Sequence, residues 1–249
     1  MQASTALLAL APGLALGSFL NVVAARIPRR SSVVRPASAC MSCRTPIAWY
    51  DNLPLVSYLA LHGRCRACGA RIGLRYPAVE LATALLVAGC VLAFGVTLEA
   101  LVGACFCAAL VAVSATDLEH RIIPDRIVLP AAAAILAART LLEPSLEWAL
   151  AAVGCSLFLF VAVLAYPAGM GMGDVKLALL LGAALGRAGP IALAVGMLAA
   201  LVPAGYLLAR HGSAGRKMAI PFGPFLALGG VVALFAGDRL LDLYLATWS

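Results

Sequence analysis

Long apolar stretches, separated by short polar or Pro/Gly breaks, organise this chain. A hydrocarbon core about 30 Å thick takes roughly 20 helical residues to cross. The pattern predicts helices near residues 4–25, 79–97, 100–116, 127–142, 147–166, 175–186, 189–209 and 219–241, the sixth being short. The connections are brief, except for a polar insert rich in Arg, Pro and Gly over residues 27–78. The expected fold is therefore all-α: a polytopic membrane bundle of about eight transmembrane helices with a small cytoplasmic insert between the first two. Three regions follow: a first span over 1–26, the insert over 27–78, and a membrane-embedded bundle over 79–249.

Composition strengthens the membrane reading. Of 249 residues, 63% are hydrophobic and 12% charged, well outside the ordinary soluble range. The first apolar run is followed by Asn21 and Arg26 and lacks a small-residue cleavage site, so it is expected to remain as a span. If 27–78 faces the cytoplasm, the inner loops and helix ends hold 15 of the 18 Lys and Arg residues, leaving Arg139, Arg187 and Arg239 outside. The positive-inside bias favours that orientation and an external amino terminus. The net charge of +7 then reports topology and contact with anionic lipid heads. It gives no reason to invoke nucleic acid.

The insert carries two CxxC pairs, Cys40/Cys43 and Cys65/Cys68, separated by 21 residues. That spacing fits a four-thiolate zinc site, in which each turn brings two sulfurs to one ion. A redox or disulfide role is the alternative, disfavoured in a cytoplasmic loop. A domain of about 50 residues has little core of its own and needs such a staple. A closed four-sulfur site leaves no open position for a catalytic water. Cys90, Cys105, Cys107 and Cys155 fall inside spans and read as packing residues.

Two carboxylates stand where a membrane chain normally keeps none. Asp117 closes the third apolar run, and Asp174 ends the loop Gly169-Met-Gly171-Met-Gly173 before the sixth. Both fall on the cytoplasmic side of the expected topology. Asp125 follows Pro124 and suits a helix cap, but a carboxylate at the end of a helix opposes the macrodipole, so Asp117 needs another reason. Two nearby acids in a partly dry site share one proton. One can then act as general base on water while the other protonates the peptide carbonyl. The glycines would admit an extended backbone beside Asp174, or serve only as a flexible break. Glu80 suits the start of the second span electrostatically, with a functional role left open. Lys176 has two readings, pairing with Asp174 or facing lipid phosphates. His62, His120 and His211 lack the spacing of a zinc protease, and no GxSxG elbow is present.

With these residues in hand, the chain resembles the prepilin peptidases, or type IV leader peptidases, bacterial membrane aspartic proteases of the GxGD kind. The shared motifs are GSFLNVVAARIP (17–28), the CxxC pairs, DNLPLVSYL (51–59), GRCRACGARIGLRYPAVEL (63–81), DLEHRIIPDRIVLP (117–130), GMGDVKL (171–177) and IPFGPFLALGG (220–230). Met41 replaces a proline common in relatives, at a position that contributes no ligand. The resemblance implies catalytic roles for Asp117 and Asp174 and zinc on Cys40, Cys43, Cys65 and Cys68. It also implies an inner-membrane location, with prepilin and type II pseudopilin substrates cut at the cytoplasmic face after a basic leader ending in glycine. Relatives with the zinc insert commonly also methylate the new amino terminus with S-adenosylmethionine, and that second site is expected within 17–81. A peptidase without methylation, a proton-coupled transporter and an assembly scaffold are the competing readings.

Overall fold

The computed structural model describes residues 2–166, 169–212 and 220–247. Every regular element among them is helical. Eight long helices fall on the eight apolar segments: α1 (Gln2–Arg26), α3 (Arg75–Phe94), α4 (Leu98–His120), α5 (Asp125–Leu142), α6 (Glu147–Ala165), α7 (Met172–Leu185), α8 (Gly189–His211) and α9 (Gly223–Ala246). A short helix α2 (Val56–Ala60) and a 3-10 turn at Trp49–Asn52 lie in the insert. Among the described residues, six stretches are long and apolar enough to cross a membrane, with α7 and α8 counted as one run and α5 falling short. The outward face of α6 is apolar, with Leu150, Val153, Leu157, Phe158, Val161 and Leu164 more than half exposed, as a lipid-facing surface requires. The protein is a multi-pass membrane protein. The expected loop before α9, with Arg216 and Lys217, lies outside the described residues over 213–219.

The chain divides into two compact units, residues 1–115 and 116–249. In the first, α1 and α3 pair antiparallel through small residues. A methyl group at Gly13 would meet Ala84 Cα at 2.7 Å, and one at Gly17 would meet Glu80 Cα at 2.6 Å. Lipid supplies no hydrophobic drive for helix pairing, so close backbone approach of this kind carries the contact. One turn further, the Asn21 side-chain amide donates to Tyr76 O at 3.1 Å.

The insert has almost no interior. Between residues 27 and 74, only Ser57 and Gly63 are buried among the described residues, while Val34, Met41, Trp49 and Leu59 are largely exposed. Its order comes from hydrogen bonds. The Arg66 guanidinium grips Asp51 at 2.6–3.1 Å, tying the second CxxC turn to the 3-10 turn and holding the Asp51 carboxyl below its usual range.

In the second unit α7 is the hub. It packs against α5, α6, α8 and α9, and most of its residues from Asp174 to Leu185 are buried. This explains the short segment: 14 residues rise only about 21 Å, and the helix is a core element with little face left for lipid. Gly182 lies so close to Ala151 of α6 that no side chain fits, and Ser156 Oγ donates to Val175 O at 3.1 Å. At Gly186 the backbone takes φ +54, and a short 3-10 turn over 186–188 reverses the chain. A methyl group on Gly189 would lie 3.4 Å from Gly182 Cα, so α7 and α8 fold back on one another. α8 and α9 mesh antiparallel through Gly196 against Leu226 and Gly229 against Ala192.

Candidate active site and metal centre

The four insert cysteines converge. Their sulfurs lie within 4.8 Å of one another, with Cys40–Cys68 at 3.8 Å and Cys43–Cys65 at 4.0 Å. A tetrahedron of Zn–S bonds of about 2.3 Å places its sulfurs about 3.8 Å apart, so the donor set fits zinc in both chemistry and size. The two turns share one construction. Cys40 N–H donates to Thr45 O and Arg44 N–H to Cys40 O. Cys65 N–H donates to Ala70 O and Gly69 N–H to Cys65 O in the same places. Short antiparallel bridges close both, Ala39 with Pro46 and Arg64 with Arg71.

Local donors favour thiolate at the first turn. The Cys43 and Ser42 amides lower Cys40. The Thr45 hydroxyl, then the Thr45 amide, hold Cys43 down to about 6. At Cys68 the Ala70 amide pulls the same way, but hydrogen bonds from the neighbouring thiols and burial outweigh it and push the group up to about 11. A bound metal overrides such differences by taking every sulfur as thiolate.

The equivalence of the turns exposes one mismatch. The residue after the second cysteine has φ +60 at Arg44 and φ +70 at Gly69. An L side chain is disfavoured there by about 1–2 kcal/mol, and glycine recovers part of that. Arg44→Gly is expected to stabilise the metal-loaded insert by up to about 1 kcal/mol, read as slower zinc transfer to a chelator.

The two aspartates both belong to the second unit, in settings that sequence alone left partly open. Asp117 lies in the last turn of α4, which continues to His120 before Arg121 takes φ +54 and its N–H caps Asp117 O at 2.8 Å. The side chain, 6% exposed, accepts the Gly223 N–H at 2.9 Å on Oδ2. Gly223 is the first residue of α9. The carboxylate that opposes the dipole of its own helix is therefore met by the positive end of another. No charge pattern pointed to Gly223. Its only sequence signal was its place in the IPFGPF stretch.

Asp174 lies within the first turn of α7 and is 7% exposed. Its carboxylate Oδ2 accepts the Gly171 N–H at 3.1 Å, and its own N–H returns a bond to Gly171 O at 3.1 Å. The glycines have distinct uses. Gly173 packs where a methyl group would meet Ile123 Cβ at 2.8 Å, and Gly171 supplies the amide. Each acid thus has one oxygen held by a glycine amide at a helix start. The two are near enough that the charge of Asp117 is felt at Asp174.

Lys176 bonds both Asp125 oxygens at 2.7 and 2.8 Å, so its carboxylate partner is Asp125 and not Asp174. Asp125 is the first helical residue of α5 behind Pro124, and its side chain clasps α7 where a cap was expected. His120 rests beside Glu119 at 3.5 Å. Glu80 is buried in α3 and accepts Leu55 N–H at 2.9 Å.

Two family models and several curated proteins match this chain. The Bacterial Peptidase A24 N-terminal domain matches residues 12–94, and the Type IV leader peptidase family matches residues 104–208. A prepilin leader peptidase/N-methyltransferase of Bacillus subtilis is 36% identical, covering 94% of this chain and 95% of the relative. Its counterpart in Pseudomonas aeruginosa is 38% identical over 94% of this chain and 91% of the relative. A protein of the same name from Myxococcus xanthus is 48% identical over 47% of this chain and 35% of the relative. No solved structure matches. With identity of this level sustained along nearly the whole of two relatives, the chain belongs to the type IV leader peptidase family.

Proposed function

We propose that this protein is a bacterial inner-membrane aspartic endopeptidase. It removes the leader from type IV prepilins and type II pseudopilins at the cytoplasmic face, then methylates the new amino terminus. The observation that carries the peptidase reading is the pair of buried carboxylates, Asp117 and Asp174, each oriented by a glycine amide. The relatives' shared name, prepilin leader peptidase/N-methyltransferase, supplies the substrate class and the second activity. Under this reading residues 1–26 form the first span, 27–78 the cytoplasmic zinc domain and 79–249 the peptidase bundle, with about eight crossings in all.

In the proposed reaction, one aspartate takes a proton from water and the other gives one to the scissile carbonyl, so no covalent intermediate forms. The amides of Gly223 and Gly171 fix one oxygen of each carboxylate and leave the other oxygen for water or peptide. Asp117 and Asp174 are the catalytic residues. Zinc, held by Cys40, Cys43, Cys65 and Cys68, would supply cross-linking of the insert and no reaction step. S-adenosylmethionine is the methyl donor that the second activity calls for. A transporter would use buried acids too, but it has no need of the four-cysteine insert.

The test is incubation of the protein in proteoliposomes with a prepilin and S-adenosylmethionine, followed by mass spectrometry of the product. A shortened chain carrying one added methyl is expected. An uncut prepilin would remove the peptidase reading, and a cut but unmethylated one would remove the second activity. Within the same assay, Gly223→Ala should lower cleavage about 100-fold, because the new methyl group would press on Asp117 Oδ2 from 2.8 Å. Cleavage at the wild-type rate would show that this contact does not position the acid.

A further inference from the structure

The first unit holds a buried acid of its own, which the proposed cleavage does not use. Glu80, 8% exposed, faces Gly17 of α1. It accepts a hydrogen bond from Leu55 N–H at 2.9 Å, and the Ser18 side chain lies close by. No basic side chain is among its contacts in the described residues. One turn away, Asn21 is 4% exposed and donates to Tyr76 O, while its own Oδ1 is buried without a partner. A buried carboxylate without a counter-charge, beside a buried acceptor without a donor, is an arrangement that proteins avoid unless something else completes it.

The loop above is strained at the point where it meets this acid. Leu55 has φ +56 and ψ −45, and Val56 N–H bonds back to Pro54 O at 2.6 Å. That is a γ-turn of the rare, positive-φ form, unfavourable for a residue with a Cβ. The N–H of the strained residue itself is the one that Glu80 accepts. Held strain of this kind gathers at ligand sites and moving segments, and here it hinges the 51–59 loop on the same carboxylate.

We infer that Ser18, Asn21 and Glu80, under the Leu55 turn, form the binding site for the cationic group of the methyl-transfer reaction. Two carriers share that chemistry: the sulfonium of the methyl donor and the ammonium of the newly cut amino terminus. Either brings the positive charge that Glu80 lacks, and Asn21 Oδ1 offers the second acceptor. This assignment rests on the methyl-transfer reading, and it gives that activity to residues of α1, α3 and their loop that the proposed cleavage does not use.

Binding to the full-length protein in nanodiscs separates the carriers. The probes are S-adenosylmethionine against its neutral product S-adenosylhomocysteine, and a mature pilin amino-terminal peptide with a free against an acetylated end. The wild type is expected to prefer the charged member of one pair at least tenfold. Glu80→Gln should bring that preference to about one and lower methylation at least tenfold, with leader cleavage held within about twofold. Asn21→Leu should weaken the charged probe several-fold and leave the neutral one unchanged. Wild-type methylation and charge preference persisting in Glu80→Gln would overturn the assignment alone. Equal loss of cleavage and methylation would make Glu80 a fold residue and overturn it as well. A wild type that methylates nothing would instead remove the reading on which it rests.

Discussion

Asn at either Asp117 or Asp174 is expected to stop leader cleavage while leaving the protein folded. The substitution keeps the shape and the acceptor, so Gly223 and Gly171 N–H groups can still bond the side-chain oxygen. What disappears is the proton traffic. A positioned acid or base contributes about 100- to 10,000-fold, equivalent to about 3–5 kcal/mol of barrier. The double variant should be little worse than either single one, because residues acting as a unit do not add. The measurement is the cleavage rate of a reconstituted prepilin, with methylation of a pre-cut pilin as a control for folding. Retained cleavage in either single variant would sink the dyad.

Removing the metal should have the second large effect, of a different kind. The insert buries almost nothing of its own, so under the proposed zinc site hydrogen bonds and the metal together hold its two turns. Structural zinc in small domains carries apparent binding energies of about 10–16 kcal/mol, far more than Arg66 and Asp51 can replace at the surface. Chelation, or Cys43→Ser, is expected to take the metal content from one zinc per chain to none. The insert should then become open to protease, while the second unit keeps its thermal transition. Metal-free protein with a protease-resistant insert would show that the sulfurs stabilise it by some other means. Loss of methylation with cleavage retained would add that the ordered insert serves only the second activity.

Apolar runs between polar breaks were enough to find the eight long helices, including α7, which shows little face to lipid, and α5, which falls short as a span by length and composition. They misplaced some boundaries by a few residues. Asp117 was expected at the end of its helix and lies in the last turn of α4. Asp174 looked like part of a loop and lies in the first turn of α7, since a first turn can be polar without ceasing to be helical. The cysteine site was legible because each CxxC is local and only two such turns had to meet. The partner of Asp117 was not, because Gly223 is 106 residues away and a backbone amide leaves no mark in a sequence. The pairing of Lys176 with Asp125 was hidden for a similar reason: proximity across 51 residues is decided by packing around α7. Glu80 shows the limit of local electrostatics. Its position near a helix start was ordinary, whereas its burial beneath Leu55 depends on how the insert returns to α3.

The encasement of α7 bears on how the protein is made. At 14 residues with Asp174 and Lys176 in its first turns, the segment is a poor candidate for partitioning into lipid by itself, since charged residues resist translocon-mediated insertion. Its reversal at Gly186 joins it directly to the longer α8, 23 residues with its charged side chains confined to the last turn. Biogenesis is therefore expected to release the two helices together, after α5 and α6 have emerged to receive them. The acid that α7 carries reaches its working depth as a product of assembly order, and a ribosome-stalled chain ending before α8 should leave it accessible to water.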